Sequence, residues 1–135
     1  MTLANARFYR ALANADLGAM SGLWLQSDEA SCVHPGWPML EGWEAIRESW
    51  QAIFKNQGPL RIWPEAVAVH LAGGVAWVTC IENIDASREL TDLLIQARAT
   101  NIFHRVDGRW KMVHHHASPL PRLGASGRSE GISPN

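Results

Sequence analysis

ATNIFHRVDGRWKMVHHHASP, residues 99–119, is the stretch that decides the fold of this chain. Asp107-Gly108 stands between two runs rich in aromatic and apolar residues. Asp-Gly supplies the positive φ that a two-residue hairpin turn requires, so Leu93–Val106 and Arg109–Ala117 read as antiparallel strands. With a strict two-residue turn, Arg105 faces Trp110, Phe103 faces Met112, Asn101 faces His114 and Ala99 faces His116, all on one side of the sheet. The opposite side carries His104 with Lys111, Ile102 with Val113 and Thr100 with His115. The first side grades from apolar near the turn to polar at Asn101, His114 and His116, as a pocket wall does. A bulge in either strand would shift the register and exchange one strand's faces.

Upstream, Leu60–His70 and Val75–Ile84 flank Gly73-Gly74, a second hairpin signal. The apolar run from Pro64 to Ile81 is broken by His70 and the two glycines, which reads as two strands and a turn and not as a membrane span. Before the hairpins the period changes to that of helices. Leu3, Phe8, Ala11 and Leu12 form one stripe, and Asp16 is placed to cap a second short helix carrying Leu17, Met20, Leu23 and Trp24. Ala30–His34 reads as a short strand stopped by Pro35-Gly36. A third helix starts near Gly42 with Trp43, Ile46, Trp50 and Ile53 on one face, and Asn56-Gln57-Gly58-Pro59 ends it. Three helices followed by antiparallel strands make an α+β fold. Residues 1–120 read as one domain and the Gly-, Ser- and Pro-rich residues 121–135 as a flexible tail.

The formal net charge of −1 and scattered Lys and Arg give no attraction to nucleic acid or to an acidic membrane. Seven tryptophans demand a core or cavity that houses large rings, and Trp43, Trp50 and Trp63 are assigned to the core. Cys32 and Cys80 have no metal-like spacing and read as two free buried thiols of a reducing compartment. The first residues lack the layout of a signal peptide. The expected location is the cytoplasm.

Chemistry collects at His34 and Trp37 after the first strand, and at Asn101, His114 and His116 on the last hairpin. Three roles are open to the histidines: a metal bound through imidazole nitrogens, a general acid or base titrating near neutrality, or structural hydrogen bonding. Glu82 lies late in an apolar strand, and a strict Gly73-Gly74 turn would set it against Glu65. A longer loop that leaves Glu82 at a solvated strand end relieves this. In a pocket, burial would raise its pKa and make it a base. Arg98 and Arg105 could anchor an anion, although solvated positions or dimer ion pairs suit them better.

Cys32-Val33-His34-Pro35-Gly36-Trp37, Leu40-Glu41-Gly42-Trp43-Glu44-Ala45-Ile46, Ala99-Thr100-Asn101-Ile102-Phe103 and Asp107 through Pro119 together resemble the SnoaL-like branch of the nuclear transport factor 2-like (NTF2-like) superfamily, which includes ketosteroid isomerase-like proteins. The resemblance covers Ala4 to Pro119. It implies a curved antiparallel sheet wrapped around helices to form a cone-shaped cavity, and a homodimer built on the outer sheet face. It also implies isomerase, cyclase, dehydratase or purely binding and association roles, so fold alone does not choose among them. The isomerases and cyclases use a cavity aspartate. Here Asp85 and Asp92 fall near the loop between strands, and histidines stand in its place.

The resulting expectation is a protein that binds a small, partly apolar organic ligand and performs acid–base chemistry on it, or a non-catalytic dimeric module. His114 and His116 are the expected catalytic pair, and His34, Trp37, Glu82 and Asn101 the ligand contacts. No cofactor and no metal is expected, and neither nucleic acid nor membrane is expected as a partner.

Overall fold

The computed structural model describes residues 1–87 and 90–121; the C-terminal tail beyond Pro121 lies outside the described residues. Helix α1 spans Thr2–Asn14 and buries Asn5, Phe8, Tyr9, Ala11 and Leu12. Leu3, expected in that stripe, is exposed. Ala15 ends the helix in the left-handed region at φ 53°, where its N–H reaches the carbonyls of Ala11 and Leu12. Helix α2, Leu17–Leu23, opens on the expected cap: the Asp16 carboxylate accepts from the Ala19 N–H at 3.0 Å. Helix α3, Trp43–Gln57, starts at Gly42, whose φ of 89° favours glycine, and turns Trp43, Ile46, Ser49, Trp50 and Phe54 inward. Glu44 in its first turn and Lys55 in its last complement the helix dipole.

The strands are β1 Ser31–Val33, β2 Leu40–Glu41, β3 Arg61–Ala72, β4 Val75–Asp85, β5 Leu94–Val106 and β6 Arg109–Pro119. They form one six-stranded sheet in the order β2-β1-β6-β5-β4-β3. All pairs are antiparallel except β1 with β6. That parallel pair, Cys32 beside His115, brings the end of β1 next to the last strand. The helices cover the sheet face that carries Ala76, Val78, Cys80, Ala99, Phe103 and Met112, all buried in one core with Phe8, Met20, Trp24, Ile46 and Trp50.

Both hairpins turn where expected, with Ala72 paired to Val75 and Val106 to Arg109. Each then shifts register. Between Glu65 and Ala68 the chain bulges, with Ala66 at φ 55°. Glu65 therefore pairs with Ile81, and Glu82 with Pro64. A bulge, not a longer loop, keeps the two carboxylates from facing each other. Glu82 is also buried at 3% exposure, correcting the expected solvated strand end.

The second bulge falls on Val113: Phe103 pairs with Met112, but Ile102 pairs with His114, Asn101 with His115 and Thr100 with His116. One unpaired residue exchanges the faces of the three histidines. His115, not His114 or His116, comes to the helix-covered side beside Asn101. Trp43 and Trp50 are in the core as expected. Trp63 is not. It is 44% exposed, because the β3 register sets it opposite Asn83 on the side away from Ile62. Both cysteines are free and buried.

Candidate functional site

A cavity of about 280 Å³ opens between α1, α3 and the sheet. Leu12, Trp50, Ile53, Leu60, Ile62 and Ile84 supply its apolar wall, and His34, Trp37, Glu82, His115 and Gln57 its polar and aromatic groups. Among the described residues no Lys or Arg lines it.

His115 is 2% exposed and sits on β6 with its two ring nitrogens differently employed. The Asn101 amide donates to Asn5 Oδ1 at 3.0 Å and to Tyr9 Oη at 3.1 Å. With both its protons engaged, Asn101 offers its carbonyl to His115 Nδ1, 2.6 Å away. His115 is therefore the Nδ1–H tautomer, and Nε2 carries a lone pair. That lone pair lies 3.9 Å from Glu82 Oε2. Burial first, and then the neighbouring His34, His114 and His116, together hold the His115 pKa down at about 3. The ring is neutral through the physiological range.

Glu82 receives the Tyr9 hydroxyl proton at 2.7 Å. The Cys80 thiol is 3.2 Å from the same Tyr9 oxygen and donates to it, since the phenol proton is already given to Glu82. Burial raises the Glu82 carboxyl to about 7, and the Tyr9 hydrogen bond only partly offsets that rise. Burial, the Glu82 charge and the Cys80 thiol push the Tyr9 phenol up, so it stays a donor. The outcome is a carboxyl that exchanges its proton near neutrality, facing an imidazole lone pair in an apolar cavity. Glu82 can give a proton to, or take one from, a bound molecule, while the His115 lone pair accepts a hydrogen bond.

His34, at the end of β1, is also buried and is held at about pKa 4 by that burial. Ser49 donates its own proton to the Ile46 carbonyl at 2.6 Å, so it accepts from His34 Nε2–H at 2.8 Å. The ring lies edge-on to Trp50 at 4.5 Å and to Trp37 at 4.8 Å. Trp37, 40% exposed, stands on the β1–β2 connection at the cavity's rim. The indole N–H groups of Trp50 and Trp24 are buried without a partner among the described residues.

The structure thus brings His34, Trp37 and Glu82 together on one cavity wall. Asn101 is fully buried one layer behind it, where it fixes His115 and Tyr9. His114 and His116 do not line this cavity. Their expected inward orientation is corrected by the Val113 bulge. His114 is half-buried against Ser31, whose hydroxyl is 2.7 Å from Nδ1, and His116 is exposed with its ring 6.0 Å from that of His114. Tyr9, Asn5 and His115 are the residues that sequence reading passed over. Asn5 and Tyr9 sit four apart in α1, on the face that also carries Phe8 and Leu12. Two polar residues at helical spacing within an apolar stripe are the signal that could have found them. Among the described residues no group of three or more His, Cys, Asp or Glu side chains could hold a metal ion, and no helix is long and apolar enough to cross a membrane.

Known proteins share this arrangement of elements. The SnoaL-like domain profile matches residues 2–122. An NTF2-like family protein from Streptomyces avermitilis, described as a candidate dehydratase, is 34% identical; the match covers 90% of this chain and 94% of that one, with a TM-score of 0.80. A Thiobacillus denitrificans protein, described as a candidate calcium/calmodulin-dependent protein kinase type II association domain, is 30% identical over 89% of this chain and 94% of its own, with a TM-score of 0.79. The F-box protein SKIP8 of Arabidopsis thaliana is 32% identical over 118 residues, 86% of this chain, which spans about half (48%) of that relative's length. With three helices on a six-stranded, mostly antiparallel α+β sheet and a family match over nearly its whole length, the chain belongs to the SnoaL-like domain family of NTF2-like proteins.

Proposed function

We propose that this protein binds a small, uncharged, partly apolar organic molecule in the cavity and moves a proton on it. The observation that carries this reading is the Glu82–His115 pair, buried on the wall of a cavity of about 280 Å³ that no cation among the described residues lines. A carboxylate or phosphate ligand would meet Glu82 with no compensating charge, which selects against acidic ligands. Glu82 is the proton donor and acceptor. His115 Nε2, held neutral by burial, accepts a hydrogen bond from the ligand, Tyr9 supports Glu82, and Asn101 positions both rings. His34 and Trp37 orient the ligand by edge and face contacts. The likeness to a candidate dehydratase supports proton-transfer chemistry of this class.

Solvent-deuterium exchange tests the reading, with small aryl ketones as probes and nuclear magnetic resonance following loss of the protons beside the carbonyl. We expect exchange above the buffer rate, with Glu82→Gln lowering it by a factor of about 10² or more. Exchange equal in wild type, Glu82→Gln and buffer would remove the chemistry. If the probes still shift the Trp37 and Trp50 indole signals, the binding function alone remains.

A second reading, a dimeric association module, draws on the opposite sheet face. There Trp63 and Trp77 are exposed, and His70 stacks on Trp77 at 5.1 Å. An exposed aromatic patch of this kind is what a homodimer would cover. The likeness to a candidate association domain supports it. Light scattering of wild type and of a Trp63→Ser, Trp77→Ser variant tests it: a dimer that becomes a monomer is expected, and a monomeric wild type would refute it. Two free buried thiols support a cytoplasmic location.

A further inference from the structure

A groove of about 590 Å³ beside the β5–β6 hairpin shares no lining residue with the cavity. It is bounded by the start of α1, the end of α2 and the first residues of β6. Leu3, Ala4, Leu23 and Trp110 give it an apolar lining, and Arg7, Arg109 and Lys111 line it too. Arg105 adds a fourth cation, its guanidinium 5.2 Å from the centre of the Trp110 ring. None of the four is in an ion pair among the described residues. The nearest carboxylate in sequence, Asp107 at the hairpin tip, pairs with none of them. A chain with a formal charge of −1 has thus brought Arg7 of α1 beside three cations of the β5–β6 hairpin, nearly a hundred residues away in the sequence.

We propose that this groove docks an acidic peptide segment whose carboxylates alternate with apolar side chains. Charge complementarity and the lining choose this occupant. The cations are not buried, and Lys111 is already committed to the Gly22 carbonyl at 2.8 Å. They do not converge on one desolvated point, as capture of a single small anion demands. Several exposed cations around Leu3, Leu23 and the Trp110 ring instead meet a ligand that spreads charge and apolar surface along its length. Leu3 is exposed in the free chain and is covered in the complex.

The test uses the whole chain and a short fluorescein-labelled peptide of alternating Glu, Leu and Phe, followed by anisotropy at low and at high salt. Saturable binding that weakens with salt is expected. The Arg7→Glu, Arg109→Glu double variant should bind at least about tenfold more weakly. Arg98→Glu, an exposed cation outside the groove, should bind as wild type does. Circular dichroism confirms that the variants fold. Amide and indole shifts should concentrate at Arg7, Leu23, Trp110 and Lys111. Equal binding by wild type and the double variant, equal binding of a Gln, Leu and Phe peptide, or displacement of the peptide by a single-stranded oligonucleotide at lower concentration would each overturn the proposal.

Discussion

Replacing Glu82 by Gln should stabilise the protein at high pH while abolishing the proposed proton transfer. The carboxyl titrates at its ordinary 4.5 in the unfolded chain and at about 7 in the fold, where burial opposes its charge. Below pH 4.5 it is neutral in both states and contributes nothing to pH dependence. Between 4.5 and about 7 the fold binds a proton that the unfolded chain has lost, so stability from this group falls as pH rises. Above about 7 the loss is complete. At about 1.4 kcal/mol per unit of pKa, the shift from 4.5 to about 7 sets an upper bound of about 3 kcal/mol. Glutamine has the same shape, still accepts the Tyr9 hydroxyl proton, and does not ionise. The variant should therefore match wild type within about 1 kcal/mol at pH 4.5 and exceed it by up to about 3 kcal/mol at pH 8. Urea denaturation of both proteins across this range reads the difference directly. His34 and His115 act with the opposite sign. Their folded pKa values, about 4 and about 3, lie below the ordinary 6.5, so their contribution is full above pH 6.5 and is lost as pH falls through the folded values. Both histidines are present in both proteins and cancel from the comparison. A stability difference that does not change between pH 4.5 and 8 would show that Glu82 titrates normally and refute the reasoning.

Asn101→Ala strips partners from His115 Nδ1, Asn5 and Tyr9 in the core, and should cost about 3 kcal/mol or more in urea unfolding. His116→Gln, at an exposed position, should change stability by less than about 0.5 kcal/mol in the same assay. Ala15→Gly removes the Cβ penalty at φ 53° and should gain up to about 1 kcal/mol after the added flexibility of the unfolded chain is allowed for. Phe103→Ala, at a fully buried position, should lose about 3–5 kcal/mol and lower Tm in calorimetry.

Elements with local causes were legible in the sequence. The Asp16 cap, the apolar face of α3 and both hairpin turns depend on residues close together in the chain, and the structure has each of them. Strand β2 was not legible, because two residues have no period, and neither was the parallel β1–β6 pairing, which joins positions more than eighty residues apart. Of the four residues expected to touch a ligand, His34, Trp37 and Glu82 lie on one cavity wall, whereas Asn101 is buried behind it, because the hairpin register turns its amide to Asn5, Tyr9 and His115. The orientation of the histidine triplet failed on one residue, because strand alternation is exact in period and Val113 breaks it. Trp63 failed for a related reason: aromaticity suggested the core, but its side of the sheet is set by register. The Tyr9–Asn101–Asn5 connection spans the length of the chain and has no local signature beyond the spacing in α1.

The run His114-His115-His116 has a consequence for how this wall endures change. With the Val113 bulge, Asn101 meets His115; in an unbulged hairpin it would meet His114. Slippage of the last strand by one position, or gain or loss of a residue at 113, would still deliver an imidazole to the same amide. A repeated side chain makes the chemistry at that point indifferent to alignment, so the loop, the bulge and the strand edge can drift in evolution without emptying the position.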